Sequence, residues 1–445
     1  MLKALNLYTV ANKEFLFLLV IWLLTGIYAG PLIYILLPLS LVLLKMKGRY
    51  EELFLGFFFI LILSDSRQYA LSWAGNVKNI YIVLLAVFLF LDRKKFIPFN
   101  SFYQRFVPFF LAALIALIYS EVFTTAAQKT ISYALLFLVV PNYVQKIWTE
   151  NKVNFLYNLI FLGGMILLTG LMLKFIMPHK VYVVGRFTGV LGNPNGLGLF
   201  SALFFLLLST IQYFHPDILN KKEKILIYGL IILSIILSGS RSSLATIFIF
   251  LFFKTFYRIS PFLGFIIFLI MIISYELVTS NLTFIVLALG LEEYLRLDTL
   301  ESGSGRLIAW NFAWDQIQKN FFIGKGFAHT EYIYKQHIDA LSILGHQGNA
   351  HNSYLTFWLE TGLIGLALFL WGFFKSFYLA SKKYIIAIPL LYAIVFSTYF
   401  ESWLTASLNP FTIQLLIILT ILTLSYYLKD DEFEDITNDK MLVLK

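Results

Sequence analysis

The chain has 445 residues, 59% hydrophobic, 18% aromatic and only 13% charged, with a mean hydropathy of +0.80 and a formal charge of +9. Polar residues this scarce do not cover a soluble domain, so the composition excludes one and indicates an all-α polytopic membrane protein. The basic residues sit in short clusters between apolar runs, a topology signal rather than a nucleic-acid surface, and the absence of cysteine excludes disulfides, thiolate catalysis and Cys-based metal sites.

No cleavable leader is expected, because the first apolar run, Phe15 to Gly30, leads into Pro31 to Leu44 without a small-residue cleavage pattern. Apolar runs then predict spans near 15–30, 31–46, 52–65, 79–92, 106–122, 131–146, 153–176, 194–214, 225–240, 242–257, 261–279, 352–378, 384–400 and 411–428. This gives about 12–14 transmembrane helices, since short runs can merge or re-enter. Basic clusters at Lys45/Lys47/Arg49, Arg93/Lys94/Lys95/Arg105, Lys146/Lys152, Lys221/Lys222/Lys224, Lys254/Arg258 and Lys375/Lys382/Lys383 then fall on one side. By the positive-inside rule that side is the cytoplasm, with both termini there; the acidic tail Asp430-Asp431-Glu432 does not oppose this. The opposite side receives 66–78, 123–130, 177–193, the turn at Arg241, 280–351 and 401–410. The chain divides into N-terminal helices (1–150), central helices with outward arginine loops (151–279), a long outward loop expected to carry the chemistry (280–351), and C-terminal helices with a short tail (352–445).

Within the long loop, Ser302-Gly303-Ser304-Gly305-Arg306 precedes a helical pattern with Leu307, Trp310, Trp314 and Ile317 on one interfacial face. That helix is expected to end near Asn320, before a Gly324-Lys325-Gly326 turn and a polar, histidine-bearing stretch with short helices. His351 stands where the next apolar run begins. A histidine there suits a general base, or else caps the helix or meets lipid head groups. His329, His337 and His346 match no common zinc spacing, so no metal is expected.

Arg186, Arg241 and Arg306 face outward, and the planar guanidinium fork matches phosphate oxygens, although outward arginines also snorkel to head groups. Arg241 is held close to the bilayer between two apolar runs, where an uncompensated charge is costly. Gly192-Asn193-Pro194-Asn195-Gly196 opens a span and offers either an anion site or a plain turn and cap. Glu360 lies nine residues into the span that begins at Asn352, an intramembrane carboxylate with either a functional or a structural use. Glu401, Glu121 and Asp65 fall at outer helix ends, where solvation is expected to be easier.

An outward site has no ATP, so an enzyme there needs a donor already activated in the lipid, such as a polyprenyl diphosphate-linked glycan. Arginines would stabilise the departing diphosphate and a histidine would activate the acceptor hydroxyl, inverting the anomeric centre.

These residues are where a family resemblance enters. His351-Asn352, nine residues, then Gly362-Leu363-Ile364-Gly365 is similar to the His-(Asn/Ser/Gln)-x9-Gly-x-x-(Gly/Thr/Tyr) pattern of the O-antigen ligases. Gly192-Asn193-Pro194-Asn195 and Ser238-Gly239-Ser240-Arg241 resemble further landmarks of the O-antigen ligase and polymerase family. The Arg-x3-Leu element maps onto Arg306 with Trp310 in its last place. The resemblance covers about Arg186 to Gly365; residues 1–150 match in hydropathy alone. It implies His351 as catalytic base and Arg241, Arg306 and Arg186 at the diphosphate, with Asn193, Asn195, Asn352 and Glu360 in support. It also implies a multi-pass protein of the bacterial inner membrane with a periplasmic active site, acting without cofactor or metal. The donor would be an undecaprenyl diphosphate-linked glycan and the acceptor a lipid A-core sugar, or another lipid-linked repeat if the protein is a polymerase. A solute transporter would instead show several midplane charges and internal repeats; Glu360 alone fits the first, and no repeat is seen.

Overall fold

The computed structural model describes residues 8–256, 260, 262–274, 305–346 and 348–424. It is 81% helical, as expected where backbone groups in hydrocarbon must bond within their own segment. In chain order the apolar runs form α1 (Lys13–Tyr28), α2 (Ile33–Met46), α3 (Tyr50–Ser64), α4 (Trp73–Leu91), α5 (Val107–Ala116), α6 (Phe123–Ile176), α7 (Pro194–Phe214), α8 (Lys221–Ser238), α9 (Arg241–Phe256) and α10 (Phe262–Ser274). After the outward loop come α14 (Ser353–Lys383), α15 (Ala387–Phe400) and α16 (Thr412–Thr423). The loop itself holds α11 (Arg306–Lys319), α12 (His329–Gln336) and α13 (Ile338–Ile343). The Ser302-Gly303-Ser304 cap, the Asp430–Glu432 tail and the ends of the spans at 261–279 and 411–428 lie outside the described residues.

Two expected spans, 131–146 and 153–176, run together as α6 and are separated only by a break at Asn151 (φ −152°, ψ 47°). The centre of the bundle is α16. All twelve of its residues are buried, against α6, α7 and α14.

Contacts sort the connections into two ends. At one, Lys45 pairs with Asp92 (3.4 Å), and Lys146 Nζ donates to the carbonyl of Lys95 (3.1 Å). At the other, Lys78 Nζ donates to Leu408 O (2.8 Å), Lys129 meets Glu331 (2.6 Å), and Gln68 Nε2 reaches Lys180 O (3.5 Å). Loops expected on one side thus touch one another, and the basic clusters around Lys45, Lys95 and Lys146 meet at the other end.

The loop is tied to the bundle through α14. At Gly362 the helix breaks (φ 70°, ψ 178°), freeing carbonyls above and amides below. Segment 321–326 takes up both sets. Lys325 N and Gly326 N donate to Leu359 O and Glu360 O (3.2 and 2.7 Å), while Leu363 N and Ile364 N donate to Phe321 O and Phe322 O (2.9 and 3.2 Å). Only glycine fits, because a Cβ on Gly362 would sit 2.1 Å from Phe322 O.

The loop helix α11 ends at Lys319, with Asn320 as its C-cap. Its inward face differs from the expected one: Ala309, Ala313 and Ile317 are buried, whereas Leu307 and Trp314 are 59% and 40% exposed. Small alanines let α11 lie close against α14, and that rotation turns the larger apolar residues outward.

Gly362→Ala is expected to destabilise the protein by at least about 2 kcal/mol, from a strained φ plus the clash. Gly229→Ala, on the exposed side of α8 with nothing within 4 Å, should be neutral or up to about 1 kcal/mol stabilising. Thermal unfolding of both variants in detergent measures the contrast, and equal midpoints would remove the docking argument.

Candidate active site

Each expected site residue is delivered by a local device. Asn193 Oδ1 accepts from Gly196 N (2.7 Å) and caps α7, with Pro194 at its first position. Asn352 Oδ1 accepts from Tyr354 N and Leu355 N (2.9 and 3.0 Å) and caps α14. A cap of this kind is worth about 1 kcal/mol. His351, immediately before it, has φ 47°, a left-handed conformation uncommon outside glycine, so its ring direction is set by the turn.

Arg186 arrives on a hairpin that the sequence did not announce. Strands β1 (Tyr182–Val183) and β2 (Arg186–Phe187) pair antiparallel, with Tyr182 opposite Phe187 and Val183 opposite Arg186. The two turn residues, Val184 and Gly185, both have positive φ (49° and 71°), the condition for a tight two-residue hairpin turn. Arg186 Nε then donates to Ser238 O (2.8 Å), and Nη2 donates to Gly239 O and Asn195 Oδ1 (3.1 and 2.9 Å). The guanidinium thereby fastens the carbonyl end of α8, where a cation also complements the helix dipole.

The same turn presents Arg241. Gly239 ends α8 in a left-handed conformation, Ser240 Oγ bonds Ser243 Oγ (2.8 Å), and α9 opens with Arg241. A Cβ on Gly198 would lie 2.4 Å from Ser240 Cβ, so this glycine lets the serine turn press onto α7. Because α9 packs along α15, Arg241 lies at the end of the bundle where α15 finishes in Glu401.

Glu401 joins the pieces. Its Oε2 lies 3.4 Å from His351 Nδ1, and its Oε1 lies 3.5 Å from Arg306 Nη2 and accepts from Asn195 Nδ2 (3.3 Å). Its carbonyl accepts from Ser353 Oγ (2.8 Å). The Arg306 guanidinium also stands 5.5 Å from the Phe400 ring centroid, within cation–π range. Trp310, in the place where the resemblance expects leucine, donates Nε1–H to Ala350 O (2.8 Å) and so ties the helix carrying Arg306 to the residue before His351.

Solvation at Glu401 is not easy, contrary to the expectation for an outer helix end: its side chain is 13% exposed. Burial pushes the carboxyl up, but His351 first and then Arg306 and Arg186 outweigh it, holding Glu401 below the usual carboxylate range. Asp65 departs the other way. Burial pushes it up to about 6 despite Gly192 N–H, Lys78 and Arg67.

With the carboxylate on Nδ1, the other imidazole nitrogen of His351 is left to accept a proton. Gly348 flanks that nitrogen, since a Cβ there would lie 3.2 Å from Nε2. Glu360 is placed elsewhere: buried in α14, its carboxylate accepts from Thr330 N (3.4 Å) rather than joining the Glu401 group. His346 is buried, with its ring centroid 6.1 Å from that of His351; burial and the neighbouring His351 lower its pKa.

A carboxyl whose folded pKa is depressed adds stability that is present above the unfolded carboxyl's pKa and is lost as pH falls through the folded value. Wild type should therefore exceed Glu401→Gln by about 1–3 kcal/mol at pH 7, with the gap closing on acidification. Melting curves of the two proteins across pH test this; a gap that persists at low pH would contradict it.

Residues 226–370 match the family model described as O-antigen ligase, a segment running from α8 into α14 that contains Arg241, Arg306, His351 and Gly362. A stretch of 110 residues is 33% identical to a Rickettsia felis protein named as a polysaccharide ligase. That likeness covers 22% of this chain and 26% of the relative, about a quarter of its length. The chain is a polytopic membrane protein whose segment 226–370 is similar to the O-antigen ligase family.

Proposed function

We propose that the chain is an O-antigen ligase: an inverting, metal-independent glycosyltransferase that moves a glycan from undecaprenyl diphosphate to a sugar hydroxyl of lipid A-core. The observation that carries this reading is the single carboxylate shared by His351, Arg306 and Asn195, with Asn195 in turn on Arg186. It links a base, oriented for proton transfer, to cations suited to a leaving diphosphate.

In the proposed reaction the acceptor oxygen attacks the anomeric carbon while its proton passes to His351 Nε2. The bond from that carbon to the diphosphate oxygen breaks, and the charge developing on undecaprenyl diphosphate is met by Arg306, Arg241 and Arg186. Glu401 is a positioning residue: it holds the Nδ1 side of His351 and the direction of Arg306. Asn352 sets the turn that carries His351, and Asn193 sets the start of α7 that carries Asn195. The long loop, 280–351, would roof the site on the periplasmic face of the inner membrane, with both chain termini in the cytoplasm.

His351→Ala should lower transfer at least about 100-fold with expression intact, and robust turnover by the purified variant would remove it as the base. Arg241→Lys should be impaired as deeply as Arg241→Ala, because lysine lacks the bidentate fork; full activity of the lysine variant would leave only a nonspecific charge. Gly348→Ala should cut transfer and also lower the melting temperature, since its φ of 135° strains any L side chain and its Cβ crowds Nε2. Complementation of strains lacking either the ligase or the polymerase, scored by lipopolysaccharide banding, separates the two acceptors. Long chains restored on core in the first strain alone support the ligase; lengthening in the second supports the polymerase.

A further inference from the structure

The opposite end of the bundle holds a cavity of about 660 Å³ that the proposed reaction does not use. Its wall is built from the approach to α1, the first turn of α3 and the bend of α6, and includes Tyr8, Arg49, Glu51, Glu52 and Asn158. The volume lies within the range of small-molecule and head-group sites.

The charges in this wall do not balance. Arg49 is engaged twice, by Glu52 Oε1 and by Glu14 Oε2 (3.0 Å). Glu150, also in the wall, is paired with Lys146 (2.6 Å). Among the described residues, Glu51 takes its hydrogen bonds from two neutral amides, Asn158 Nδ2 and Asn151 Nδ2 (3.2 Å), and from no cation. Among the described residues, an anion is thus left without a counter-charge at the end of a helix bundle, where compensation is worth most.

Two further oxygens are unsatisfied. Tyr8 is 2% exposed, and among the described residues its hydroxyl has no hydrogen-bond partner and Glu52 Oε2 has none either. Leaving such groups unpaired costs free energy that a ligand would recover. The wall also has aromatic backing, with Tyr8 stacked on Phe161 (5.3 Å) and Phe161 on Tyr157 (4.4 Å).

We infer that this cavity binds a primary ammonium group. Such a group carries the missing positive charge and three N–H donors, which match Glu51, Glu52 Oε2 and the Tyr8 hydroxyl, and it is a cation that aromatic rings attract. The cavity lies at the helix ends, so the ammonium comes either from an aminophospholipid head group or from a soluble amine. Quaternary ammonium groups keep the charge but lack the donors, which makes them the discriminating control. This inference does not depend on the glycosyl-transfer reading.

The full-length protein, reconstituted with phosphatidylethanolamine, phosphatidylcholine and phosphatidylglycerol in equal amounts, is delipidated and its retained lipid counted by native mass spectrometry. In parallel, ethanolamine is titrated calorimetrically. Wild type should retain phosphatidylethanolamine about tenfold over phosphatidylcholine, with the preference lost in Glu51→Gln and reduced severalfold in Tyr8→Phe. Saturable ethanolamine binding without lipid preference, sensitive to the same variants, would assign the site to a soluble amine. Absence of both responses in wild type, or their survival in both variants with helix content unchanged, overturns the inference.

Discussion

A carboxylate closed off at the end of an apolar bundle is costly unless donors and cations surround it, and Glu401 is such a group. Its partners come from places far apart in the chain. Asn195 starts α7, Arg306 starts α11, His351 precedes α14, and Ser353 lies in the first turn of α14. Asn195, Arg306 and His351 meet the carboxylate and Ser353 the backbone carbonyl of the same residue, so one desolvated anion and its peptide bring together the outward ends of these helices. Burial alone would raise its pKa; the net depression means that its cationic neighbours win.

The spacing between His351 and Gly362 has a backbone explanation alongside its chemical one. Asn352 caps α14 at one point, and the break at Gly362 opens it again at another. Cap and break delimit a rigid rod about ten residues long. The rod's start fixes His351, and its far end hydrogen-bonds segment 321–326, which follows α11 directly. Trp310 closes the circuit by bonding Ala350 O. The motif thereby fixes where Arg306 stands relative to His351 without either residue touching the other.

How much of this was legible depends on whether a signal is local. Hydropathy placed the helices because each span satisfies its own backbone and needs no distant information. The cap at Asn193 was legible because the side chain and the amide it satisfies lie within three residues, whereas the sequence offered His351, not Asn352, as the cap of α14. The β1–β2 hairpin was not legible, since Val-Gly is a poor announcement of a turn with positive φ at both positions and the strands have two residues each. Nor was the role of Glu401. A carboxylate following Phe400 looks solvated until tertiary packing brings His351 and Arg306 to it, and no rule of spacing connects positions 306, 351 and 401. The rotation of α11 failed for a related reason: Ala309 and Ala313 carry little hydrophobic weight, yet their small size is what lets the helix approach α14.

The three arginines are not equivalent, and their differences bear on the proposed reaction. Arg186 spends its donors on the carbonyls of Ser238 and Gly239 and on Asn195, so it shapes the serine turn as much as it supplies charge. Arg306 is held by Glu401 at 3.5 Å, a length that leaves room for a better acceptor to compete. Arg241 begins α9 on the turn that Arg186 fastens. Three guanidinium groups against the one carboxylate of Glu401 leave a formal excess of two positive charges among the named residues. A neutral sugar would not use that excess, whereas a departing diphosphate would. Since the charge on the leaving group grows as the glycosidic bond breaks, fixed cations of this kind act more strongly on the transition state than on the bound donor.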